Sequence, residues 1–141
     1  MTGKQPKRKP RPGIDEYGRT PLHYAAADGL ADGVTRLLSA GANANVQDDN
    51  GWTPLHFAAQ ANSPSVANAL LLAGAQTELT DSYGNTPLWK AVFASKGDGA
   101  VIRLLLNAGA NPNAANFSGV SPLTLAKSIG NYDVAQFFDG I

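Results

Sequence analysis

Apolar residues in this chain come in short bursts separated by polar turns, and the bursts repeat. TPLHYAA at residues 20–26 returns as TPLHFAA at 53–59, as TPLWKAV at 86–92 and as SPLTLAK at 121–127. The first two intervals are 33 residues each and the third is 35. A fixed period of this size marks a stacked-repeat architecture, in which one unit cannot bury its apolar face alone.

Every unit follows one grammar. A polar turn comes first, at residues 15–18, 48–51, 81–84 and 116–119, and each ends in glycine, which accepts a backbone geometry that a side chain resists. Thr20, Thr53, Thr86 and Ser121 then each stand before a proline, the pattern of a helix N-cap followed by a first-turn proline. A short Ala- and Leu-rich helix is predicted after each. A second helix is predicted to end on Leu37-Leu38, Leu70-Leu71 or Leu105-Leu106, and Gly41, Gly74 and Gly109 stop it. Ser63-Pro64 reads as a further N-cap and first helical residue.

The Thr-Pro-Leu-His-x-Ala phrase in a period of 33 resembles the ankyrin repeat. The likeness runs from Asp15 to Ile141, close in two units, good in the third and degenerate in the fourth. It implies an all-α solenoid of four helix-turn-helix units with β-hairpin-like fingers, stacked into a curved slab. The expected domain covers 14–141, with units near 15–47, 48–80, 81–115 and 116–141. The two additional residues of the third unit fit the stretch ASKGDG at 94–99 and predict a longer, mobile loop. The first unit is expected to cap the stack, because Arg36 puts a charge where the others carry Ala69, Leu104 and Phe137, and a terminal unit needs a polar outer face. The fourth unit, ending soon after Phe137-Phe138, is expected to be the other cap. The fifth place of the phrase holds Tyr24, Phe57, Lys90 and Leu125; it faces the neighbouring repeat in this family, which makes Tyr24 and Phe57 core.

Composition and charge add to this picture. The 141 residues suit one domain with a sizeable core, and 43% are hydrophobic. No apolar run is long enough for a bilayer, and the basic N-terminus lacks the apolar stretch of a secretory signal. There is no cysteine, so thiol chemistry and disulfides are excluded. A cytoplasmic location is the expectation. The formal net charge of zero hides an asymmetry. Lys4, Lys7, Arg8, Lys9 and Arg11 crowd the start of the chain, while six basic residues face all eleven acidic ones from Gly13 onward, a net of −5. Residues 1–13, with Pro6, Pro10 and Pro12, are expected to form a disordered tail. The tail has the composition of a nucleic-acid or import segment, but the acidic body argues against binding a phosphate backbone.

Nothing here reads as an enzyme. His23 and His56 share the fourth place of the phrase, where the resemblance implies a structural hydrogen bond to threonine and backbone. Asp48-Asp49-Asn50-Gly51 lacks the ligand spacing of a calcium loop. Gly97-Asp98-Gly99 lacks the lysine and the preceding strand of a phosphate loop. No catalytic residue, metal site or cofactor is expected.

The resemblance implies instead that fingers and first helices offer a concave face to a protein partner. The finger positions chosen are Tyr17, Arg19, Asp49, Trp52, Tyr83, Asn85 and Phe117. From the first helices come Asp28, Gln60, Trp89, Lys90 and Phe93. Rings and arginine dominate protein hot spots, and a ring on an ordered finger loses little entropy on contact. Trp89, Lys90, Phe93 and the loop 95–99 are expected to act as a specificity element. The partner is another protein, with neither membrane nor nucleic acid involved, and the chain is expected to be a monomer. Small cysteine-free chains of this type look like bacterial immunity proteins, so the partner class reads as a secreted toxin; the alternative is a regulatory or scaffold subunit whose basic tail docks on nucleic acid or an acidic partner.

Overall fold

The computed structural model describes residues 13–140, so the expected disordered tail, Gly13 apart, lies outside the described residues. Seven α-helices follow in order: α1 (Pro21–Ala27), α2 (Ala31–Ser39), α3 (Pro54–Gln60), α4 (Pro64–Leu72), α5 (Pro87–Ala94), α6 (Ala100–Asn107) and α7 (Pro122–Ser128). A 3₁₀ helix over Val134–Phe138 closes the described chain, so the last unit has a tighter, shorter second helix than the others. Helices pair within units and stack between them, α1 on α3 on α5 on α7 in one layer and α2 on α4 on α6 in the other. This is an all-helical repeat solenoid.

The first helices start as the sequence dictates. Thr20, Thr53, Thr86 and Ser121 are the N-caps, each followed by proline, and each hydroxyl accepts the backbone N–H three residues on. Ser63 also occupies an N-cap, but its side chain makes no capping bond. The second helices end where glycine allows: Gly74 has φ of +89°, its N–H donates to Leu71 O, and the N–H of Ala75 reaches back to Leu70 O. This pair of bonds is the Schellman arrangement, which satisfies carbonyls the helix leaves open.

Fingers repeat with equal regularity. The carboxylate or amide Oδ1 of the first residue accepts two backbone N–H groups across the turn: Asp15 from Tyr17 and Arg19, Asp48 from Asn50 and Trp52, Asp81 from Tyr83 and Asn85, Asn116 from Ser118 and Val120. One backbone bond then joins each finger to the next: Asp49 N–H to Tyr17 O, Ser82 to Asn50 and Phe117 to Tyr83. The close approach demands glycine at the turn, since a Cβ on Gly51 would lie 2.9 Å from Asp81 Cα.

The core runs the length of the stack. Leu22, Val34, Leu55, Val66, Leu70, Leu88, Ile102 and Leu105 are fully buried or nearly so. Arg36 is exposed at its column while Ala69, Leu104 and Phe137 are half-buried, in keeping with a polar face on the first unit.

Two expectations need correction. Tyr24 is not core: it is 42% exposed, because no further unit lies beyond α1 to cover it among the described residues. Its hydroxyl donates to Asp15, which holds that carboxyl below its usual range and lifts the phenol. The loop at 95–99 is tied rather than loose. Ser95 is buried with its hydroxyl donating to Val92 O, the Asp98 N–H donates to Ser95 O, and Asp98 Oδ1 accepts from the N–H of Ala100.

Candidate functional site

The two histidines are accounted for first. His23 Nδ1 accepts the N–H of Thr20 at 2.9 Å, and His56 Nδ1 accepts that of Thr53 at 3.1 Å. A backbone N–H only donates, so the ring proton sits on Nε2. From there His23 donates to Trp52 O at 2.9 Å and Val46 O at 3.0 Å, and His56 donates to Asn85 O at 2.8 Å. Each ring therefore fastens its own helix start to the next finger. Burial opposes a charge there: His23 is pushed down, and His56 is pushed down to about 4. A neutral, doubly bonded imidazole is a structural tie. No group of three or more metal-binding side chains occurs among the described residues.

At the same place in the third unit stands Trp89. Its indole offers no acceptor to Thr86, so the reciprocal bond of the capping box is missing, and its Nε1 is buried without a partner. Thr124 restores the reciprocal bond in the fourth unit, with its hydroxyl accepting from the N–H of Ser121 at 2.9 Å. The junction between units three and four thus lacks the tie that the first two junctions have.

Of the charged candidates, Arg19 and Lys90 are braced. Arg19 Nε donates to Asp48 Oδ2 at 3.2 Å, and its guanidinium lies 5.2 Å from the Tyr17 ring and 5.5 Å from the Phe57 ring. Lys90 Nζ is 3.5 Å from the buried Asp81 Oδ2 and 4.3 Å from the Trp52 ring centre. Trp52 also meets Phe57 at 4.8 Å. These side chains hold one repeat to the next and are half-buried.

Other rings are mainly exposed. Tyr83 is 71% exposed, Phe93 69% and Phe117 80%, while Tyr17 is partly exposed. Phe93 stacks on Trp89 at 5.5 Å and 14° between planes. Phe117 lies across the backbone of Gly84, where a Cβ would be 2.8 Å from its ring, so the ring is placed while its outer face meets solvent. Asp28, Asp49 and Gln60 are exposed too. Asn85 is the candidate that the fold withdraws: it is 6% exposed, its N–H goes to Asp81 and its Oδ1 accepts from Asn116 Nδ2. The candidate residues therefore divide into an exposed set spread over all four units, with its most exposed rings in units three and four, a bracing set of Arg19, Trp52, Lys90 and Asn85, and Trp89, which is half-buried against Phe93. Asp98, from the loop 95–99 expected to act in specificity, and Asn62, which no motif singles out, line with Phe93 a cleft between the second and third units.

No described helix is long and apolar enough to cross a membrane. No curated protein matches the chain. A family model described as ankyrin repeats (3 copies) matches residues 22–116 and 65–138, which together span most of the chain. The histidine ties, the stacked fingers and this match agree: the chain belongs to the ankyrin-repeat family, whose repeats mark a protein-protein interaction module.

Proposed function

We propose that this chain is a non-enzymatic binding module that occupies a partner protein with the fingers and first helices of its third and fourth units. The observation that carries the reading is the set of three rings, Tyr83, Phe93 and Phe117, each about 70% exposed or more on an ordered element. Rings held in this way bring large apolar area to an interface at small entropic cost. The acidic excess from Gly13 onward suits a basic partner and speeds its encounter. A secreted toxin of basic character fits that description, and an immunity role in the cytoplasm, carried out by a monomer, is the narrower form of the proposal.

The experiment is co-purification from source cells with the tagged chain and with a Tyr83→Ala, Phe93→Ala, Phe117→Ala variant whose fold is checked by circular dichroism. One stoichiometric protein retained by the wild type and lost by the variant supports the reading. Equal retention by both places the binding elsewhere. The scaffold alternative rests on the basic residues 4–11, and removing residues 1–13 separates the two: capture through the rings persists, whereas tail docking is lost and is steeply weakened by salt.

A further inference from the structure

The loops joining the helices of units two and three face each other across a cleft of about 730 Å³. Gln60, Asn62, Phe93, Lys96 and Asp98 are among its lining residues. We propose that this cleft anchors an arginine side chain presented by a loop of the protein partner. The inference rests on the protein-binding reading above and adds its recognition chemistry.

The cleft is built rather than incidental. Residues 95–99, two more than join the helices of the second unit, form one of its walls. That wall is backed by the fourth unit: a Cβ on Gly97 would lie 2.9 Å from the Tyr132 ring, and one on Gly99 would lie 2.4 Å from the Phe137 ring. Asn62 and Lys96, one on each loop, are the non-glycine residues with positive φ among the described residues, at +50° and +49°. Each follows a helix C-cap, the place Gly29 holds at φ of +69° in the first unit, and this left-handed turn fixes how the loop leaves its helix. An ordered wall loses little freedom when a ligand arrives.

The chemistry of the lining selects a guanidinium. Asp98 is exposed, with Oδ1 accepting from the Ala100 N–H at 3.0 Å and Oδ2 accepting from Asn62 Nδ2 at 3.3 Å. An ionised carboxylate has about four acceptor positions, so these two bonds fix its direction and leave room for a forked donor. Phe93 offers an exposed ring in the same cleft, supported from behind by Trp89. A planar cation that stacks on a ring while bonding a carboxylate is arginine, since lysine carries a compact point charge. Lys96 lines the cleft as well; its ammonium opposes an incoming cation, which supplies an independent test.

The probe is the capped tripeptide acetyl-Gly-Arg-Gly-amide, titrated into the full ¹⁵N-labelled chain, with the Glu and Leu tripeptides as controls. The expected result is saturable amide shifts confined to residues 60–62 and 93–99, with a dissociation constant on the order of millimolar. Asp98→Asn, which keeps the Oδ1 cap, and Phe93→Ala each weaken it by about fivefold or more, and Lys96→Ala strengthens it. Amide positions outside the loops report whether each variant is folded. The proposal is overturned by the absence of saturable shifts up to roughly 50 mM, by an equal response to the Glu tripeptide, or by unchanged affinity in folded Asp98→Asn and Lys96→Ala. Capture of the partner through Tyr83 and Phe117 is read separately, with a Tyr83→Ala, Phe117→Ala variant. Loss of capture in that variant beside a failed titration removes the arginine anchor alone.

Discussion

The ammonium of Lys90 sits 4.3 Å from the centre of the Trp52 ring, on the preceding finger. It is also the cation beside Asp81 Oδ2, which is buried and accepts no hydrogen bond. In the neighbouring finger Arg19 meets the matching oxygen of Asp48 from the finger before. Trp52 occupies that place opposite Asp81 and carries no charge, so Lys90 reaches across from α5 instead. Lys90→Ala leaves a buried carboxylate without its cation and a ring without its cover. The expected loss is about 2–4 kcal/mol in urea unfolding. A loss below about 1 kcal/mol would assign the pair the weak value of a surface bridge.

Acid sensitivity follows from His56. Its folded-state pKa is about 4, against about 6.5 for a free imidazole. Between those values the unfolded chain binds a proton that the folded chain refuses, so stability is intact above pH 6.5 and falls as pH drops, levelling near pH 4. The span amounts to about 3 kcal/mol, and His23 shifts in the same direction. Urea midpoints between about pH 7 and 4.5 check it, and a flat profile there contradicts the neutral-tie assignment.

Leu55 and Leu70 test the core. Both are completely buried in the second unit, which has neighbours on both sides. Truncation to alanine removes apolar contact and leaves a cavity, at a cost of about 2–5 kcal/mol each. Chemical unfolding reads it, and a shift below about 1 kcal/mol would remove these residues from the core.

Much of this architecture was legible because it is local. Thr20-Pro21 and its three echoes state where the first helices begin, and Gly74 states where a second helix stops. Other features depend on which neighbour covers a column, and a column alone does not say. Tyr24 and Phe57 share one place in the phrase, yet Phe57 is half-buried against Trp52 and Tyr24 is open at the end of the described stack. Asn85 was chosen for a finger position, and its burial comes from Asn116 on the next finger. The loop at 95–99 looked free because its sequence is Gly-rich; Tyr132 and Phe137, a full unit later, pack against it.

The fourth unit should exchange its amides soonest. Trp89 gives no tie across the third junction, and the closing helix is 3₁₀. In a repeat stack, stability is the sum of units and their interfaces, so a unit with one weak interface opens first. Hydrogen exchange followed by mass spectrometry is expected to rank α7 and residues 134–138 as faster than α3 and α5. Equal protection would mean that the indole replaces the histidine tie in full.

Tyr83 and Phe117 separate binding from folding. Both side chains are mainly in solvent, and neither is part of the buried cluster, so Tyr83→Ala and Phe117→Ala are expected to move stability by no more than about 0.5 kcal/mol each. At an interface the same truncations cost about 2 kcal/mol or more apiece, because a ring seated on an ordered finger is covered by the partner with little loss of freedom. Thermal unfolding of each variant, beside its retention of the co-purified partner, gives both numbers. Partner loss without stability loss identifies the two rings as contact residues. Loss of both together would mean that the fingers hold the stack through Phe117 over Gly84, and the binding surface would then have to be sought on another face.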